Sequence, residues 1–307
     1  GKFKLSHEAI KINKVLGKDH YPEMTNSNAY VYDGLDYRHW DTWNDGTFNH
    51  VILTNTETKE KIDLLDKQPF DSPQKPFGGE EDYIWSPDSK SVIYVSKKKE
   101  GTAYALSTNT DLYEYNLETK ETKNLTETNK GYDTRPSFSQ NGELTWLQMK
   151  RDGYEADKND IIVRYNEIDM NLTAAWDGTV DSFVWSKDGE KIFFTAPIDG
   201  TMQLFEVNFP GRKRIAVTVK PITKGDFDVT GIVGFSDHKV ILTRTDFNTA
   251  TEIFSYDLKT KKWLQITRVN DAKYKAIAKG KVEKRYVTTT DGKKMLVWVI
   301  LPPNFDA

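Results

Sequence analysis

Trp85-Ser86-Pro87-Asp88-Ser89-Lys90, followed by the apolar run Ser91 to Ser96, is a phrase that the chain repeats three more times. The later versions are Phe138-Ser139-Gln140-Asn141-Gly142 before Leu144 to Met149, Trp185-Ser186-Lys187-Asp188-Gly189 before Lys191 to Ala196, and Phe235-Ser236-Asp237-His238-Lys239 before Val240 to Arg244. The leading aromatics stand 53, 47 and 50 residues apart. A repeat of about 40 to 50 residues built from several short strands is the signature of β-propeller blades, which bury their faces only against one another. The expected fold class is therefore all-β: a propeller of four-stranded antiparallel blades.

Outward from the phrase, alternation and turn chemistry give the rest of a blade. In the copy around Trp85, Asp82 to Trp85 reads as a short first strand and Val92 to Ser96 as the second. Leu112 to Asn116 reads as the third strand, Glu118-Thr119-Lys120 as a hairpin turn and Thr122 to Leu125 as the fourth strand. The same ending recurs at Val51 to Asn55 with Glu57-Thr58-Lys59, and at Ile253 to Asp257 with Lys259-Thr260-Lys261.

Five blade-like stretches follow: 37–66, 82–125, 133–175, 181–223 and 230–267. The first is degraded, with Tyr37 to Trp43 standing in place of the aromatic-serine phrase. Residues 1–36 stay unplaced: Ser6-His7-Glu8 either caps a short helix or opens a strand through Ile10 and Ile12, so the segment could belong to an earlier blade. The propeller is expected over 37–270. Residues 271–307 read as an exit hairpin, Val282 to Thr288 and Lys294 to Leu301 around Asp291-Gly292, that runs into the linker-like Pro302-Pro303.

Composition narrows the function. With 43 basic and 46 acidic residues the net charge is -3, which gives no broad attraction to nucleic acid. No apolar run approaches the roughly 18 residues of a membrane span. The chain has no cysteine, which removes disulfides, thiolate nucleophiles and cysteine-type zinc sites, and leaves the compartment open. The basic runs Lys97-Lys98-Lys99 and Arg212-Lys213-Arg214 read as solvated turns. His39 and His50 with Asp41 and Asp45 do not match a calcium loop, because Trp43 stands where an oxygen ligand belongs, and no metal or cofactor is expected. The Arg38-His39-Trp40-Asp41-Thr42-Trp43 cluster has the residues of a His-Asp relay or an aromatic cage, but reads rather as a packed blade corner, with Trp40 and Trp43 in the core and Asp41 capping a turn.

Tyr37-Arg38-His39-Trp40-Asp41-Thr42-Trp43-Asn44-Asp45-Gly46, with Gly78-Gly79-Glu80-Glu81-Asp82-Tyr83-Ile84-Trp85-Ser86-Pro87-Asp88, resembles the propeller of prolyl oligopeptidase-family serine peptidases, in the branch of dipeptidyl peptidase V-like and acylaminoacyl-peptidase-like enzymes. Thr290-Asp291-Gly292-Lys293-Lys294 and Leu301-Pro302-Pro303-Asn304-Phe305-Asp306 resemble the segment leading from that propeller into an α/β-hydrolase domain. The resemblance covers most of residues 37–307. It implies a Ser-His-Asp triad on the hydrolase domain, with the serine on a Gly-x-Ser-x-Gly elbow beside oxyanion-binding amides. This chain holds no such pentapeptide. Its nearest string, Gly234-Phe235-Ser236-Asp237-His238, lacks the second glycine and falls in a blade turn. No catalytic residue is therefore expected here, and the chain alone is expected to be inactive.

The expected function is a non-catalytic, substrate-gating propeller of a serine exopeptidase. Its expected partners are peptide substrates and the hydrolase domain of the same parent protein. The resemblance favours a periplasmic or secreted setting. The family's propellers have seven or eight blades, so five would be an incomplete ring with an unpaired edge, which leaves a homo-oligomer open. The candidate substrate-binding residues precede the aromatic-serine phrases: Glu80, Glu81 and Asp82 beside Gly78-Gly79, and Arg135 with Tyr132 and Asp133 in the next blade; Asp181 precedes a third. The three successive acids suit a peptide's free α-amine, because charge-assisted bonds to an ammonium are short and strong. The alternative is a self-standing propeller that docks proteins or cell-envelope components through its loops. A catalytic propeller of the glycosidase kind would need carboxylates facing one another across the channel.

Overall fold

In the computed structural model, which describes residues 2–12, 21–32, 34–35, 37–211 and 216–306, every aromatic-serine phrase closes a hairpin between the first two strands of a sheet. The leading aromatics pair with aliphatic residues across each hairpin: Trp85 with Val92, Phe138 with Leu144, Trp185 with Ile192 and Phe235 with Val240. In three of the four copies the serine hydroxyl holds the turn. Ser86 Oγ accepts the Ser91 N–H (2.9 Å) and donates to Asp88 Oδ1 (2.7 Å), which accepts the Lys90 N–H (3.0 Å). Ser186, Asp188, Glu190 and Lys191 repeat the arrangement at 2.6 to 3.0 Å. Each turn also requires a left-handed residue, supplied by Ser89, Gly142, Gly189 and Asp237.

The polar-Thr-Lys turns have an equally local cause. Asn116 Oδ1 accepts the N–H groups of Glu118 and Thr119, both at 2.9 Å, and Lys120 takes a left-handed conformation (φ 59°). Asn55 with Lys59 and Asp257 with Lys261 do the same. A second device was not read from the sequence. The fourth strand ends in an apolar residue and a threonine whose hydroxyl accepts an N–H of the third strand: Thr126 from Leu112, Thr223 from Leu204 and Thr267 from Ile253. Asn124-Leu125-Thr126 is thus a strand ending with a buried threonine.

The chain divides into two compact units, Gly1–Asn171 and Leu172–Ala307. The first holds a three-stranded sheet (Phe3–Lys11, Thr47–Asn55, Lys61–Asp63) and two four-stranded meanders. These are Tyr83–Trp85, Ser91–Ser96, Asp111–Asn116 and Thr122–Asn124, then Asp133–Phe138, Leu144–Gln148, Asp160–Tyr165 and Ile168–Asn171. Residues 1–36, unplaced on sequence, contribute Phe3–Lys11, which pairs with Thr47–Asn55 along its whole length. Alternation explains the packing. On the second sheet, Val92 and Tyr94 face a core with Val51 and Leu53 of the first, while Ile93, Val95 and Leu112 face Leu144, Trp146 and Ile162 of the third.

The second unit holds two further meanders: Ser182–Trp185, Lys191–Ile198, Thr201–Asn208 and Val219–Pro221, then Asp228–Ser236, Lys239–Asp246, Thr249–Asp257 and Trp263–Gln265. Phe193 and Leu204 of the former pack with Val229, Val240, Leu242 and Tyr256 of the latter. Sequential four-stranded antiparallel meanders stacked face to face are the blades of a β-propeller. The hairpin Lys281–Thr288 and Lys294–Leu301 rests on a blade turn, where the Trp298 indole N–H donates to Gly200 O at 3.3 Å. Gly200 is left-handed (φ 70°), and a Cβ there would press on the side chains of Leu296 and Trp298, so a larger residue would be strained and would push the hairpin's side chains aside. No helix among the described residues is long and apolar enough to cross a membrane.

Three expectations are corrected. Asp82 is not in the first strand; it closes a 3-10 turn, Glu80–Asp82, ahead of Tyr83–Trp85. Lys97-Lys98-Lys99 is not a solvated turn. Lys97 is buried against Tyr104, and the Lys98 ammonium lies 4.1 Å from the Tyr113 ring centroid, where burial lowers its pKa. Trp40 and Trp43 are not core: they are 70% and 58% exposed on a separate hairpin, Arg38–His39 with Thr42–Trp43, that pairs with no further strand among the described residues. Asp41 does not cap that turn, which is held by Arg38 Nη1 donating to Trp40 O at 2.7 Å. Arg212-Lys213-Arg214 lies outside the described residues.

Candidate functional site

The loop from Gln74 to Tyr83 closes on itself. The Gly78 N–H donates to Gln74 O (2.6 Å), the Asp82 N–H to Gly79 O (3.0 Å), and the Gln74 N–H to Asp82 Oδ2 (2.9 Å). A Cβ on Gly78 would sit 2.0 Å from Asp82 Oδ2 and 2.5 Å from Gln74 O, so the first glycine of the pair is dictated by this closure. Asp82 is 3% exposed, and burial pushes its carboxyl up to about 7; the Gln74 N–H and the Arg135 charge oppose the rise, and Glu81 adds to it. Asp82 is therefore a brace under the loop. It does not present a surface carboxylate, as its place in a run of three acids had suggested.

Glu80 and Glu81 remain on the outside of the braced turn. Both are exposed, and neither makes a hydrogen bond or ion pair with the described residues. The Glu81 carboxylate folds back over the loop, with Oε2 only 2.7 Å from where a Cβ on Gly79 would be. Both acids act on Tyr83, whose phenol is raised first by burial and then by their charges, and whose oxygen is 3.1 Å from His7 Nδ1.

Arg135 lies on the strand Asp133–Phe138, which packs against the Glu80–Asp82 turn. It has φ 54° at a bulge between Thr134 and Ser137, immediately before Pro136. A left-handed arginine ahead of a proline is doubly disfavoured, and such strain concentrates at functional sites. The pairings Thr134 with Leu147 and Ser137 with Thr145 hold the strand on either side. The exposed guanidinium makes no hydrogen bond with the described residues, and its charge reaches Asp82. Glu80, Glu81, Asp82 and Arg135 thus fall on two adjoining elements of the first unit.

The other candidates are used by the fold. Asp133 is buried and accepts from Trp146 Nε1 (2.7 Å), Gln148 Nε2 (2.8 Å) and Asn129 Nδ2 (3.0 Å), while burial pushes its carboxyl up to about 7. Tyr132 is half-buried, its carbonyl taking the Met149 N–H. Asp181 belongs to the second unit, where Thr195 donates to it. His50 spends both ring nitrogens, on Asp63 Oδ2 (2.7 Å) and Gln68 O (3.0 Å), and no three His, Asp or Glu side chains among the described residues are grouped to hold a metal ion. Ser236 ends a strand, and His238 Nε2 is engaged by Asp257 Oδ2 at 2.9 Å. That arrangement has the form of a blade turn.

Sequence reasoning missed Phe77, in this loop, and put its ring partner Trp40 in the core. Phe77 is 72% exposed, and its ring lies 5.8 Å from Trp40 and 6.3 Å from His39, edge-on to both. Trp40 itself is left-handed (φ 48°), a rare conformation for so bulky a residue. The two-residue spacing between Arg38–His39 and Thr42–Trp43 was the available signal of a tight hairpin. Chemically, the loop offers two carboxylates and the neighbouring strand a guanidinium, none of them paired among the described residues. That set suits an ammonium and a carbonyl or carboxylate oxygen at once.

No family model matches the chain. Dipeptidyl-peptidase 5 of Porphyromonas gingivalis is 34% identical over 296 residues, covering 94% of this chain and 42% of the relative. Among solved structures, the acylaminoacyl peptidase of Pyrococcus horikoshii is similar with a TM-score of 0.68, at 14% identity, over 97% of this chain and 42% of that one. The β-propeller domain of the Trilobed protease from Pyrococcus furiosus gives a TM-score of 0.50 at 18% identity, over 73% and 59% of the two chains. The chain therefore spans less than half the length of the curated relative, and the structural likenesses bear on the fold, a β-propeller.

Proposed function

We propose that this chain, which belongs with the propellers of prolyl oligopeptidase-family peptidases of the dipeptidyl-peptidase 5 type, is the substrate-gating part of a serine exopeptidase. On this reading it breaks no bond itself. A Ser-His-Asp triad on a companion α/β-hydrolase domain performs the cleavage. The propeller admits short or unstructured peptides and holds them by their free amino end.

The observation that carries the reading is the pair of carboxylates, Glu80 and Glu81, without partners among the described residues, on a loop braced by the buried Asp82. An α-ammonium placed there gains charge-assisted hydrogen bonds, each worth about 1.5–3 kcal/mol. Arg135 supplies the opposite charge on the adjoining strand, suited to the carbonyl oxygen of the same peptide. A clamp with both signs measures a fixed length from the amino terminus, which is the requirement of an exopeptidase.

The test is kinetic. In the protein that joins this propeller to its hydrolase domain, Glu80→Gln with Glu81→Gln raises KM for dipeptidyl substrates by about tenfold or more, the loss of one charge-assisted bond. An unchanged KM removes the clamp from the account.

A further inference from the structure

We infer that His39, Trp40 and Phe77 form a side-chain shelf that selects peptides whose first residue is large and apolar or aromatic; the inference rests on the amine-clamp reading above and adds to it a substrate class. Three observations converge on it. Trp40 and Phe77 are among the most exposed large apolar residues described, at 70% and 72%, yet their rings are ordered against each other and against His39 (5.0, 5.8 and 6.3 Å between centroids). Trp40 keeps a left-handed backbone that a glycine or asparagine would take without strain, and Arg38 ties that turn through Trp40 O. Phe77 directly precedes the braced Gly78-Gly79 pair, and the Glu81 carboxylate folds back over Gly79.

Two residues of chain span at most about 7 Å, so the Phe77 α-carbon lies within that distance of Gly79. The Phe77 ring and the carboxylates of Glu80 and Glu81 therefore share one loop, and His39 and Trp40 pack on that ring from their own hairpin. An amino-terminal residue presents its ammonium and its side chain from the same α-carbon. With the ammonium on Glu81, a side chain the size of Leu or Phe reaches the rings, while that of Gly leaves them wet. Aromatic faces beside carboxylates also suit the ammonium itself by cation–π attraction, so the surface is complementary to a cationic group joined to an apolar one.

The experiment is calorimetric titration of the 307-residue chain with Phe-Ala-amide, Gly-Ala-amide and N-acetyl-Phe-Ala-amide, repeated on Trp40→Ala/Phe77→Ala. The expected result is about tenfold tighter binding of Phe-Ala-amide than of Gly-Ala-amide, the yield of a partly enclosed phenyl group. In the variant that ratio falls to within about twofold, while the preference for the free amine over the acetylated form persists. Both substituted side chains are largely exposed, and far-UV circular dichroism checks that the variant is folded. A ratio near one in the wild type, a ratio unchanged in the variant, or no binding of either free-amine peptide at millimolar concentration overturns the shelf. Failure of the clamp reads separately: the acetylated peptide then binds as tightly as the free one, and a side-chain ratio that the variant still collapses leaves the shelf standing.

Discussion

The carboxylate of Asp82 accepts the Gln74 backbone N–H at 2.9 Å from a position that is 3% exposed, directly beneath the turn that carries Glu80 and Glu81. Burial raises its pKa to about 7. Because the native state holds this proton more tightly than the unfolded chain, the contribution to stability is full below the ordinary value near 4 and is lost as pH rises through about 7. Asp82→Asn keeps an oxygen for the Gln74 N–H and cannot ionise. Urea unfolding should show the variant gaining on the wild type between pH 4 and pH 8, by as much as about 3 kcal/mol. Parallel stability curves would mean that Asp82 is ionised and unstrained in the native loop.

Arg135 separates binding from folding. Its left-handed backbone costs about 1 kcal/mol, a strain that asparagine tolerates better. Arg135→Asn should leave the unfolding midpoint unchanged or slightly higher and weaken dipeptide-amide binding about tenfold, the loss of one charge-assisted bond. Lower stability with unchanged affinity would assign the arginine to the fold.

Asp133, one residue beyond Tyr132 in the same run, behaves as core. Trp146→Phe removes the indole donor 2.7 Å from Asp133 Oδ1 and should destabilise the chain by about 2 kcal/mol, with a larger loss above pH 7, where the carboxylate most needs donors. Chemical denaturation at two pH values measures both effects. Peptide binding should be unaffected at pH values where the variant is folded.

The blades were legible because their signals are local. Ser86 and Asp88 hold a turn with their own side chains, and Asn116 with Lys120 holds another, so spacing and residue type were enough. The misreadings arose where the answer depends on what faces a residue. Trp40 and Trp43 have the composition of a core, yet their two-stranded hairpin joins no larger sheet among the described residues and both stand exposed. Lys97 and Lys98 have the composition of a surface turn, and the rings of Tyr104, Tyr94 and Tyr113 draw their ammonium groups inward. Glu80, Glu81 and Asp82 are alike in sequence. A single 3-10 turn ahead of the strand buries the last and frees the other two.

The most direct test of the central claim, that Glu80 and Glu81 hold a peptide's free α-amine, is titration of the chain with Ala-Ala-amide and with its N-acetyl derivative. The wild type is expected to bind the free-amine form at least about tenfold tighter, and Glu80→Gln/Glu81→Gln to show no preference between the two. Equal binding of both peptides by the wild type, or a preference that survives in the variant, would contradict it.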